Sequence, residues 1–167
     1  MRNFWRMNVA LVGLAGLLAV GVGVAGGQGP GIKFVNDLVG TEEVPVADLD
    51  GHGTSKVRIN PDTGEVCFDF RFKSTGTPNR AHIHSGQAGV NGPIVVSFFE
   101  LRIPPADPGA PATDPRNDEL EDGRFSDCVM ADPALASDIA ANPTSYYVNL
   151  HNARFPGGAI RCQLEDV

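Results

Sequence analysis

The stretch TSKVRINPDTGEVCFDFRFK, Thr54 to Lys73, decides the fold. Val66, Phe68, Phe70 and Phe72 occupy its even positions, and Glu65, Cys67, Asp69, Arg71 and Lys73 the odd ones. Side chains of an extended strand alternate between two faces, so this parity predicts one apolar and one wet face. The preceding run repeats it, with Val57 and Ile59 inward and Lys56 and Arg58 outward. Between them Asn60-Pro61-Asp62-Thr63-Gly64 is dense in turn formers, and the two runs are predicted to form a β-hairpin.

Working outward, Ile32 to Val39 alternates and reads as a first strand, followed by a turn-rich connection through Asp50-Gly51-His52-Gly53. A short strand carries His82 and His84, and glycine-rich turns lead from it to Ile94–Leu101. That run is apolar on both faces, which predicts a central strand buried on both sides. Arg102 to Arg124 is rich in proline and acidic residues and reads as a flexible, solvated surface loop. It lacks the ligand spacing of a calcium-binding EF-hand. Phe125 to Met130 is another strand. Asp132-Pro133 opens a helix over about 132–142, with Asp as N-cap, Pro at the first helical position and Asn142-Pro143 as the stop. Tyr146–Asn152 and Ala159–Glu165 close the chain as strands. The expected fold is all-β, an antiparallel Greek-key-like β-sandwich with one short helix.

The amino terminus has the anatomy of a secretory signal peptide: Arg2 and Arg6, a charge-free run Val9–Val24, and the small-x-small site Gly23-Val24-Ala25. The organisation expected is a signal peptide at 1–25, a linker at 26–31 and one domain at 32–167, secreted or in the cell envelope, with no membrane span once the signal is removed. Of 167 residues, 142 would remain, enough for one core. Removal takes two of the 13 basic residues and none of the 20 acidic ones, so a net charge of −7 becomes −9. That charge argues against nucleic acid as a partner. Export permits a disulfide. Cys67 shares the outward face of its strand, whereas Cys162 travels inward with Ile160 and Leu164. A bridge needs close, facing Cβ atoms, so Cys67–Cys128 is the expected disulfide and Cys162 a buried free thiol.

Phosphate loops, GxSxG elbows, HExxH and CxxC motifs are missing from the chain. The chemistry-bearing residues are histidines. His82 and His84 point the same way, and His151 shares a face with Tyr147 and Asn149, opposite Val148 and Leu150. If the two strands are neighbours, the three imidazoles converge, and neutral imidazole is a common ligand for zinc and copper. The plainer reading is that they hydrogen-bond to backbone and carboxylates and hold the glycine turn. Both readings stay open at this point, and His52 reads as a loop residue.

Ala81-His82-Ile83-His84 with Gly89-Val90-Asn91-Gly92-Pro93-Ile94-Val95-Val96, then Tyr147-Val148-Asn149-Leu150-His151 and Pro156-Gly157-Gly158-Ala159-Ile160-Arg161-Cys162-Gln163-Leu164, resembles the chordin-type (CHRD) domain family from about Phe34 to Leu164. The resemblance implies a β-sandwich module of exported proteins with an interaction or structural role, and cysteines at positions similar to Cys67 and Cys128. The chain departs from the family's usual Gly at Cys162 and in the length of the 102–124 loop. A looser likeness of the His-x-His strand is to Cu,Zn superoxide dismutase, at the level of fold analogy. The expected function is a non-enzymatic binding or structural module whose partner is an extracytoplasmic protein or small ligand. The alternative is a copper- or zinc-binding protein with His82, His84 and His151 as ligands, superoxide dismutase-like if the metal is redox-active.

Overall fold

The computed structural model describes residues 31–101, 120 and 122–165. The expected signal peptide and nearly all of the linker lie outside them, as does most of the proline-rich loop. Among the described residues no helix is long and apolar enough to cross a membrane.

The hairpin that opened the sequence reading is present. Strands β2 (His52–Ile59) and β3 (Glu65–Lys73) pair antiparallel, with Val57 opposite Phe68 and Ile59 opposite Val66. Strand β1 (Ile32–Val39) adds to β2, and β6 (Arg124–Met130) adds to the far side of β3. The other half holds β4 (Arg80–Ser85), β5 (Ile94–Glu100), β7 (Tyr146–His151) and β8 (Ile160–Gln163). In place of the two sheets expected of a sandwich, the eight strands of the described residues form one antiparallel sheet in the order β5-β4-β7-β8-β1-β2-β3-β6. The halves are joined through a short contact, Val39 opposite Arg161. The sheet curls until its edge strands β5 and β6 meet through side chains, Phe99 lying edge-on to Phe125 with ring centroids 5.0 Å apart. The result is nearly a barrel. A twisted sheet of this many strands buries its apolar face against itself by closing, so a second sheet is not needed.

The enclosed core is built from the predicted inward positions. Phe34, Leu38, Ile59, Val66, Phe70, Ile83, Val148, Leu150, Ile160 and Leu164 are all fully buried. Phe68 packs on Phe70 and Phe98, with ring centroids 4.9 and 4.6 Å apart. Cys67 and Cys128 face each other across β3 and β6 and form the disulfide, while Cys162 is a buried free thiol. Burial pushes that thiol's pKa up, because the thiolate would stand in an apolar core.

The predicted central strand is an edge strand. The pairing of β5 with β4 runs Phe99–Ala81, Ser97–His82, Val96–Ile83 and Ile94–His84, and so skips Phe98 and Val95. Each skip is a bulge that lets consecutive apolar residues turn to one side, and this gave the run its two-faced appearance. The helix α1 (Pro133–Ala141) follows its sequence signals, the Asp132 carboxylate accepting from the backbone N–H of Ala134 and Leu135. Leu120, placed in a solvated loop by the sequence reading, is buried in the core beside β6.

Candidate metal centre

The sheet has an outer face, and on β4, β7 and β8 that face is polar in sequence yet buried in the structure. Register aligns His84, Tyr147 and Gln163 in one row and His82, Asn149 and Arg161 in the next. His82 is 1% exposed, Asn149 2% and Arg161 1%. Two loops cover them, one at residues 86–93 and the other running from Gly40 to Asp48, and the cover is fastened by the polar side chains it hides. Arg161 donates to the carbonyls of Gln87 and Val90 at 3.0 and 3.1 Å, and its guanidinium lies over the Tyr147 ring. Gln163 donates to the Gly86, Thr144 and Tyr146 carbonyls. Gly92 is obligatory here, because a Cβ would stand 1.6 Å from the Ser85 carbonyl oxygen.

The structure brings His82, His84 and His151 together, with one ligand atom from each within 4.8 Å of the others. The β4–β7 pairing, assumed in the sequence reading, supplies the convergence. Each ring has one nitrogen tied to an atom that can only accept a hydrogen bond. His84 Nδ1–H donates to the Gly92 carbonyl at 2.9 Å, and His151 Nδ1–H to the Pro156 carbonyl at 3.1 Å. His82 Nε2–H donates to the Glu100 carboxylate at 3.3 Å. A neutral imidazole carries one N–H, so these bonds set all three tautomers. They leave His82 Nδ1, His84 Nε2 and His151 Nε2 bare. His84 Nε2 is buried with no hydrogen-bond partner. His82 Nδ1 and His151 Nε2 face each other at 3.1 Å, and with the His82 hydrogen assigned to Nε2 by its bond to Glu100 they are two lone pairs.

A proton on His82 would relieve that contact only by burying an imidazolium. Burial holds the pKa of His82 and His84 below the ordinary 6.5 and pulls His151 down to about 4. At neutral pH all three rings are therefore neutral, the protonation state in which imidazole binds metals. Two nitrogens bound to one tetrahedral zinc at the usual bond length stand roughly 3.3 Å apart. The 3.1 Å contact is therefore close to a ligand pair's spacing. The hydrogen bond on the second nitrogen of each ring is what orients metal-bound histidines.

His52 is not part of this group. It lies at the start of β2 rather than in a loop, is exposed, and has its Nδ1 3.1 Å from the Asp50 carbonyl. Sequence reasoning missed Glu43, Glu100 and Asn149. Glu43 is 4% exposed, and burial raises its carboxyl pKa to about 7 against the opposing pull of Arg161. In sequence it lies in Gly40-Thr41-Glu42-Glu43-Val44-Pro45, part of the turn-rich connection after the first strand. Its carboxylate fills the space beside Gly158, where φ is +136° and a Cβ would come within 2.4 Å.

A family model described as CHRD domain matches residues 34–164, a span holding all eight strands apart from the first two residues of β1. Neither the curated proteins nor the solved structures contain a match to the chain. The matched span includes the covered polar face, its three histidines and the Arg161–Leu164 ending, and on that match the chain belongs to the CHRD domain family.

Proposed function

We propose that this chain is an exported, non-enzymatic CHRD module whose covered outer face holds one zinc or copper ion on His82, His84 and His151. The observation that carries the reading is the set of tautomers. Three hydrogen bonds to acceptor-only atoms leave one bare nitrogen on each ring, and two of these stand 3.1 Å apart. A cation between them turns a repulsive contact into ligation. The ion's chemistry there is to hold β4 to β7 and, through His84 and Gly92, to pin the covering loop.

Export is supported by the amino-terminal leader sequence and by the Cys67–Cys128 disulfide, which suits an oxidising compartment. A structural rather than a catalytic role is supported by burial: His82 is 1% exposed, His84 8% and His151 6%. A superoxide dismutase-like activity would need a ligand position open to substrate, which rings this deeply covered do not offer.

Elemental analysis of untagged protein tests the reading. One zinc or copper per chain is expected, and none in His82→Ala, His84→Ala or His151→Ala. Metal-free wild type that binds neither ion, with the same substitutions only lowering the melting temperature, would leave a hydrogen-bonded buttress and overturn the proposal.

A further inference from the structure

Three histidines leave a tetrahedral ion one ligand short, and three more buried acceptors on the covered face lack partners, Asn149 Oδ1, Glu43 Oε1 and Gln163 Oε1, of which Asn149 pairs directly with His82. Asn149 sits directly between His82 and Arg161 in register, two residues before His151. Its side chain interacts with both Glu43 and His84. The amide N–H is the group that bonds a carboxylate, so the oxygen is left for His84. His84 Nε2 is likewise buried without a partner, its ring hydrogen being committed on the other side to Gly92. The amide oxygen and the bare imidazole nitrogen are thus two unpartnered acceptors on paired strands.

Glu43 adds an independent observation. Buried carboxylates are normally paired. Arg161 is buried nearby, yet among the described residues no ion pair joins the two. The guanidinium is committed instead to the Gln87 and Val90 carbonyls, Asn91 Oδ1 and the Tyr147 ring. The carboxylate is left to hold the Asn149 amide.

We propose that Asn149 Oδ1 is the fourth ligand of the ion, and that Glu43 is a positioning residue that keeps the amide oxygen turned toward it. This rests on the three-histidine reading and deepens it. Three nitrogens and one amide oxygen make a closed four-coordinate set, the coordination number of structural zinc. Oxygen is a poor ligand for monovalent copper, so the set suits zinc or divalent copper. Because Glu43 closes the 3-10 turn at Gly40–Glu42, occupancy of the site ties that segment to the sheet.

The test is zinc affinity of untagged, metal-stripped protein, measured by competition with a chromophoric chelator, alongside melting in chelator. Glu43→Gln and Asn149→Leu are expected to weaken zinc about 10- to 100-fold, the usual effect of losing an outer partner or a ligand. Asn149→Asp, which keeps an oxygen, is expected to retain wild-type affinity or exceed it. Metal-free Glu43→Gln should melt no lower than wild type, because an isosteric amide replaces a buried charge. Wild-type zinc affinity in both Glu43→Gln and Asn149→Leu would overturn the fourth-ligand proposal while leaving the histidine site standing. Wild type that binds no zinc would overturn both.

Discussion

The two halves of one sheet treat their outer faces differently. On β3 the alternation is ordinary: Val66, Phe68, Phe70 and Phe72 are buried, and the residues between them face water. On β7 all six residues, Tyr146 to His151, are buried, and on β8 all four, Ile160 to Gln163. The inward residues of both halves meet in one core. The difference lies outside, where β1, β2, β3 and β6 present charged side chains to solvent and β4, β7 and β8 present histidine, asparagine, tyrosine, arginine and glutamine to two covering loops. Polar groups withdrawn from water need partners, so the covered half is a set of directional bonds, and the open half needs no such bonds. At the three imidazoles and at Asn149 the proposed cation completes bonds the protein leaves open.

That contrast can be sharpened from the largest effect downward. Phe70→Ala removes a fully buried ring from the shared core and should cost about 3–5 kcal/mol in urea unfolding, with or without zinc. Arg161→Leu keeps the bulk of the side chain but strips the Val90 carbonyl of its donor and the Gln87 carbonyl of one of two, and should cost about 2–4 kcal/mol. A cost near zero would mean that the covered face is held by packing alone. On the open face Lys56→Ala should move stability by less than about 0.5 kcal/mol, since its side chain is exposed.

The covered face should also show in the pH dependence. An unfolded imidazole takes a proton near 6.5, whereas folded His151 waits until about 4, so its contribution is lost as pH falls between those values, up to about 3 kcal/mol. Glu43 works the other way. The unfolded carboxyl loses its proton near 4.5 and the folded one keeps it to about 7, so stability falls as pH rises through that range. Between pH 4.5 and 6.5 the two oppose each other, and metal-free wild type should show a shallow profile. Glu43→Gln should uncover a steep loss toward acid. A variant profile parallel to the wild type would contradict the buried state of Glu43.

The open half was legible because exposure and polarity coincide there. Parity placed Val57, Ile59 and the four apolar residues of β3, separated Cys67 from Cys162, and located the helix through Asp132. The covered half was legible only as a face: His82, His84 and His151 were correctly grouped, but outward was taken to mean wet. Burial of Arg161, Asn149 and Glu43 depends on loops folding over the sheet, and strand periodicity carries no trace of that. The bulges at Val95 and Phe98 likewise break the period that places a strand, so an edge was read as a centre. Closure into one curled sheet depends on Phe99 meeting Phe125, residues far apart in the chain and joined through no motif.

Which nitrogen of each ring carries the hydrogen is read directly by long-range 1H–15N correlation spectra of metal-free protein at pH 7. The hydrogen is predicted on Nε2 of His82 and on Nδ1 of His84 and His151, with the three bare nitrogens shifting together when one equivalent of zinc is added. A hydrogen on His82 Nδ1, shared with His151 Nε2 and unmoved by zinc, would contradict the three-histidine metal site.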